Sequence, residues 1–258
     1  MRSILLLTFL WLASTVAALG QAPDTKVSLI HAESQVKPGD SVLVGIRFQL
    51  PAGWHLYWMN PGDAGQPPSV QWTLPSGWTA GEMQWPTPTR LVNAAGVDYG
   101  YEDDVTLLTP MKAGQSAGDV VADLRWLVCK NVCVPQKGEA KTTVRMGNNS
   151  INPAAKQVID TAKENLPKTM PTPWKANAFQ NPTQVVLNFR PGTKVMHATF
   201  FPAERDVIEN AAPQKLSSTS YAAQLTLKKA DGTKKIARLK GVVVVNDAGA
   251  YAVDVPVK

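Results

Sequence analysis

Cysteine is almost missing from this chain: 258 residues hold two, Cys129 and Cys133, both inside WLVCKNVCVPQ. A pair cannot form the multi-bridge framework that holds small exported domains together. Histidine is nearly as scarce, at positions 31, 55 and 197. A structural zinc site takes four ligands, and no second cysteine pair exists to complete one. Basic tracts are absent too. The 26 lysines and arginines are scattered, with short pairs only at Lys228-Lys229 and Lys234-Lys235. A net charge of +6 spread in this way reads as a solvated basic surface, so no nucleic-acid partner is expected. Beyond the N-terminus no apolar run approaches the roughly eighteen residues of a membrane span, so no direct span is expected.

What is present begins with an address. MRSILLLTFLWLASTVAALG has a basic Arg2, an apolar run from Ile4 to Leu12 and small residues from Ala17 to Gly20. That layout predicts a secretory signal peptide over residues 1–20, cleaved after Ala18 or Gly20. The mature protein is then exported, into a compartment where disulfides persist. About 238 residues remain, enough for two domains and for a core that needs no cross-links.

Strand-like alternation dominates the rest. In SVLVGIRFQL the apolar set Val42, Val44, Ile46, Phe48 and Leu50 recurs every second residue. In VADLRWLVC, Ala122, Leu124, Trp126 and Val128 share a face and Cys129 falls on the other. Turn signals such as KPGD, LPAG, NPGDAGQPP and LPSG punctuate these runs. The pattern predicts an all-β protein of β-sandwiches. It breaks once, at NNSINPAAKQVIDTAKENLP, where Ser150 or Asn152 can cap a helix over Ala154–Asn165 that Pro167 stops. Alternation resumes in TQVVLNF, AAQLTLKK, GVVVV and AYAVDVPV. The expected organisation is a first β-sandwich domain over 24–148, a short helix and proline-rich linker over 149–173, and a second sandwich over 174–258.

On one straight strand, positions 129 and 133 would lie roughly 13 Å apart. A disulfide needs Cα atoms within about 7 Å. Joining them therefore requires a turn, which Lys130-Asn131 suits. As a staple the pair does little, because closing five residues restricts the unfolded chain by only about 2 kcal/mol in the entropy model. As a metal site it is thin, although two thiolates can hold Cu(I), with Met59 or Met83 as further soft ligands. A short dithiol on a turn suits reversible exchange best, because a neighbouring thiol can resolve a mixed disulfide quickly. From spacing alone the three readings stay open in the order redox couple, staple, metal.

The segments AGWHLYWMNPGDAGQPPSVQWTLPSGW, DYGYEDDVTLLTP, WLVCKNVCVP and FFPAERDVIENAAPQ, in that order, resemble the N-terminal periplasmic region of the DsbD/ScsB family of thiol:disulfide interchange proteins. The ScsB-like branch is the nearer. The resemblance implies a periplasmic oxidoreductase without a cofactor, whose first domain is immunoglobulin-like. Its dithiol would take electrons from a membrane-embedded donor by way of a thioredoxin-like domain and pass them to exported thioredoxin-like proteins. It also implies that Cys133 forms the mixed disulfide and Cys129 resolves it. A family cap loop would lie within residues 86–104, with Tyr99 and Tyr101 as cover and Glu102, Asp103 and Asp104 influencing proton movement. The alternative for these residues is sandwich core and solvated turn. His55 and Tyr57 match positions near the cysteines in relatives, and an imidazolium there would lower a thiol pKa. Full-length family members continue into a membrane domain and a thioredoxin-like domain. No such segments follow up to Lys258, which suggests a stand-alone relative fed by a separate membrane protein, or one that no longer carries electrons.

Overall fold

A computed structural model describes residues 23–258 except 95, 149, 247 and 248, so the expected signal peptide lies outside the described residues. In chain order the first strands are β1 (Lys26–His31), β2 (Glu33–Val36), β3 (Ser41–Gln49), β4 (His55–Gly62), β5 (Ser69–Thr73) and β6 (Thr79–Ala80). They are followed by β7 (Thr89–Asn93), β8 (Gly96–Glu102), β9 (Asp104–Lys112), β10 (Gly118–Cys129), β11 (Cys133–Met146) and β12 (Ser150–Ile151). Helix α1 (Pro153–Glu164) comes next. The second half holds β13 (Lys168–Thr169), β14 (Asn177–Gln180), β15 (Gln184–Phe189), β16 (Ala198–Pro202), β17 (Lys215–Ser218), β18 (Ala223–Lys228), β19 (Arg238–Val245) and β20 (Gly249–Pro256).

The first sandwich faces the sheet β1-β3-β9-β6 against the sheet β12-β2-β11-β10-β4-β8-β7, with β5 also paired to β10. The alternating residues of β3 and β10 do what their period requires. Val42, Val44, Ile46 and Phe48 meet Val120, Ala122, Leu124, Trp126 and Val128 in one buried cluster. Each large apolar side chain so buried contributes on the order of 1.5–3 kcal/mol. The second sandwich faces β13-β20-β19-β16 against β14-β15-β18-β17 around Leu187, Phe189, Phe200, Leu225 and Leu239. The expected all-β class with two sandwiches is what the chain adopts.

The connecting region is more than a tether. Asn152 caps α1, its Oδ1 accepting from the backbone N–H groups of Ala154 at 3.1 Å and Ala155 at 3.2 Å. The helix lays Ile159 and Ala162 on Leu108 of β9. Leu107 and Leu108 are consecutive and both fully buried. A two-faced strand buries such neighbours only if its outer face is covered as well, and α1 is that cover. Past the helix, Trp174 stacks on Phe189 at 5.9 Å and lies 4.5 Å from Tyr251, which ties the proline-rich stretch into the second sandwich.

The two sandwiches share apolar and polar contacts. Phe201 of β16 joins the first domain's core, edge-on to Tyr99 at 5.3 Å and to Trp58 at 6.4 Å. Asn60, 1% exposed, donates both amide hydrogens across the boundary, to the carbonyls of Pro202 at 2.8 Å and Glu204 at 3.0 Å.

Candidate functional site

The hairpin β10–β11 runs in unbroken register from Gly118↔Val144 to Cys129↔Cys133. The turn the cysteine spacing demanded is the three residues Lys130 to Val132, closed by Lys130 N–H donating to the Val132 carbonyl at 3.1 Å. The cysteines stand opposite each other as a cross-strand pair, Cα atoms 4.1 Å apart, and are joined as a disulfide. Their surroundings differ. Cys129 is 2% exposed, whereas Cys133 opens to solvent beside Val132, itself 64% exposed.

Strand β4 pairs β10 only at its start, Leu56 with Val128 and His55 with Cys129. Residues opposite in an antiparallel pair point the same way, and so do residues two apart on one strand. His55, Tyr57 and the two cysteines therefore share the face turned from the core, while Leu56 and Val128 turn inward. The Tyr57 hydroxyl donates to Cys129 Sγ at 3.0 Å and lies 3.7 Å from Cys133 Sγ. Its ring is 1% exposed, and the His55 ring meets it edge-on at 5.1 Å. Burial, with help from the Asp98 carboxylate, pushes the Tyr57 hydroxyl up to about 12, so it stays a donor throughout the physiological range.

On the other side β4 pairs β8, His55 opposite Glu102 and Leu56 opposite Tyr101. The same parity that brings Glu102 to the sulfur-bearing face sends Tyr101 inward with Leu56. Tyr101 donates to the Pro86 carbonyl at 2.8 Å, and Tyr99 donates to Asn210 Oδ1 at 3.0 Å. Both rings belong to the first domain's core cluster, and the aromatic lying on the sulfurs is Tyr57. Asp103 takes the positive-φ position of the β8–β9 turn, and Asp104 pairs with Arg47 at 2.6 Å. Trp126 packs edge-on to Phe48 in the core and donates to Gln136 Oε1 at 2.8 Å, on the face of the hairpin opposite the disulfide. Met83 packs against the core and Met59 is partly exposed on β4. Among the described residues, no group of three or more His, Cys, Asp or Glu gathers as a metal site.

His55 stands opposite Cys129 in surroundings that disfavour a charge on its ring. Burial lowers its pKa, against a weaker opposing pull from Asp98 and Glu102, and its Nε2 is enclosed without a hydrogen-bond partner. Burial thus favours the neutral ring over the imidazolium at this position. A folded-state pKa below 6.5 means the unfolded chain takes up the proton first. Stability therefore rises with pH across the window just below 6.5 and is lost as pH falls through it. Melting temperature should drop between about pH 7 and pH 5, with a shallower slope in His55→Gln. Equal slopes in the two proteins would count against this account.

Three further residues shape the site, each inside a segment quoted above but with no role that the sequence alone assigns. Gly65 closes over the Tyr57 ring, since a Cβ there would lie 2.1 Å from the ring's Cζ. Asp98, 3% exposed, accepts from Ala64 N–H at 3.1 Å and from Asn93 Nδ2 at 2.7 Å. Asn210 reaches in from the second domain and donates to Asp63 at 2.7 Å. A run such as NPGDAG announces a turn, but nothing in it tells which side chain the turn will cover.

Residues 26–145 match the family model described as thiol:disulfide interchange protein DsbD, N-terminal. No curated protein matches the sequence. Among solved structures, the N-terminal periplasmic domain of ScsB from Proteus mirabilis aligns over 88% of this chain and 91% of its own. Its TM-score is 0.69 at 18% identity, a likeness of fold that spans both sandwiches and the helix between them. The reduced N-terminal domain of DsbD from Neisseria meningitidis aligns over 48% of this chain and 90% of its own, at 11% identity and a TM-score of 0.30. The motif segments, the matched model and the disulfide at the hairpin tip agree, and over residues 26–145 the first domain of this chain is similar to the N-terminal domain of the thiol:disulfide interchange protein DsbD.

Proposed function

We propose that this chain is a periplasmic thiol–disulfide relay, an oxidoreductase of the protein-disulfide reductase type, taking two electrons from a membrane-linked reductase and handing them to exported thioredoxin-like acceptors. The observation that carries the reading is the asymmetry of the pair: one sulfur open, the other buried under a fixed donor. A partner thiolate attacks Cys133 Sγ, the Cys129–Cys133 bond breaks, and its electron pair leaves on Cys129 Sγ. The Tyr57 hydroxyl is already in place to stabilise that thiolate. The partner's second thiol then displaces Cys133, leaving the partner oxidised and this chain a dithiol. In the outward step the Cys133 thiolate attacks the acceptor disulfide, and Cys129 attacks Cys133 Sγ to release the acceptor reduced. Exposed Val132 offers an incoming protein an apolar contact beside the sulfur. The exchange needs no cofactor. Among the described residues no helix is long and apolar enough to cross a membrane.

Equilibration against glutathione tests this reading. A relay pair should titrate in the range of exchange-active pairs, above about −300 mV, and transfer to an exported thioredoxin-like protein at catalytic concentrations. A potential well below that figure, with no transfer, would leave the disulfide a structural bridge.

A further inference from the structure

The loop that follows β4 reaches the redox face in an unusual way. Gly65 has φ +78, and the space its side chain would occupy is filled by the Tyr57 ring, with three ring carbons 2.1–2.5 Å from a Cβ built there. Only a glycine in this left-handed conformation lets the backbone lie on the ring. What presses it there comes largely from the second domain. Arg205, on an exposed turn after β16, donates from Nη2 to the Gly65 carbonyl at 2.6 Å. Asn60 is bonded to the carbonyls of Pro202 and Glu204, and Asp63 accepts from Asn210 at 2.7 Å. The end of β4 and the loop after it, residues 60–65, are thus gripped at three points by residues 202–210, and Gly65 rests on the ring whose hydroxyl touches Cys129 Sγ.

We propose that Arg205 is a positioning residue for the dithiol: by holding the Gly65 carbonyl it keeps the loop on the Tyr57 ring, and so lets the docked second domain set how readily Cys129 is released as a thiolate. The inference rests on the proposed role of Cys129 as the sulfur released by attack at Cys133. It gives the second sandwich, which contains no cysteine, a part in the chemistry.

The test uses the full chain with glutathione as the only reductant. Loss of the donor in Tyr57→Phe should disfavour the reduced state about tenfold, placing the potential about 30 mV more negative. Arg205→Ala should give the same sign at about threefold, or about 15 mV, and slow attack by glutathione in parallel. Arg205→Lys, which keeps a donor within reach, should recover at least half of that shift. The double variant Tyr57→Phe/Arg205→Ala should lie no further than Tyr57→Phe alone, because both act through one hydroxyl. Gly65→Ala, which displaces the same ring from the first domain's side, serves if Arg205→Ala does not fold. A wild-type potential in Arg205→Ala, or full additivity in the double variant, would overturn the coupling. These readouts need no protein partner. A chain that shows the coupling yet transfers nothing to thioredoxin-like proteins would support this inference and sink the relay.

Discussion

Cys129→Ser should leave the chain caught in a mixed disulfide with a thioredoxin-like partner, while Cys133→Ser should trap at least about tenfold less. The difference follows from access. With Cys129 replaced, the remaining sulfur is the open one at the end of the turn, free to form the bond and without a neighbour to resolve it. With Cys133 replaced, the remaining sulfur is 2% exposed and lies beneath the Tyr57 hydroxyl at 3.0 Å. Non-reducing electrophoresis of each purified variant with the oxidised partner reads the adduct directly. Equal trapping by both variants, or none in either while the wild type still exchanges, would reverse or remove the assigned roles.

The second large effect is on stability. Phe201→Ala should cost about 3–5 kcal/mol, the range for deleting a buried aromatic ring. Phe201 is 4% exposed and, although it stands on a strand of the second sandwich, it packs edge-on between Trp58 and Tyr99 of the first. The cavity would open at the boundary, where collapse requires one sandwich to move against the other. Denaturant unfolding followed by tryptophan fluorescence and by circular dichroism should lose coincidence, since the halves would no longer melt together. A coincident transition with a loss below about 1 kcal/mol would show that the ring does not join the two cores.

Much of this architecture could be read from residue order, for reasons of period. A strand buried on one face repeats every two residues, so β3, β10, β15, β18 and β20 each declare themselves in the apolar spacing. Asn152 and Pro153 mark the start of the helix by their chemistry at its first turn. The need for a turn between Cys129 and Cys133 follows from chain dimensions alone. What stayed hidden depends on pairing across long separations. Tyr99, Tyr101 and Tyr57 are equally aromatic, and only the registers of β4 against β8 and β10 decide that Tyr57 turns to the sulfurs while Tyr101 turns inward. His55 looks like a cation until the enclosure of its Nε2 is known. Arg205 lies 140 residues from the carbonyl it holds, beyond the reach of any local pattern.

The in-register pairing of Cys129 with Cys133 bears on repeated use. The bridge joins two residues that the hairpin's ladder already sets face to face, and it tethers no distant parts of the chain. With the bridge open, the ladder pairs from Gly118↔Val144 to Val128↔Val134 still hold the two strands side by side. A pair built this way asks little backbone rearrangement of each exchange, so what the hairpin contributes is rate rather than driving force.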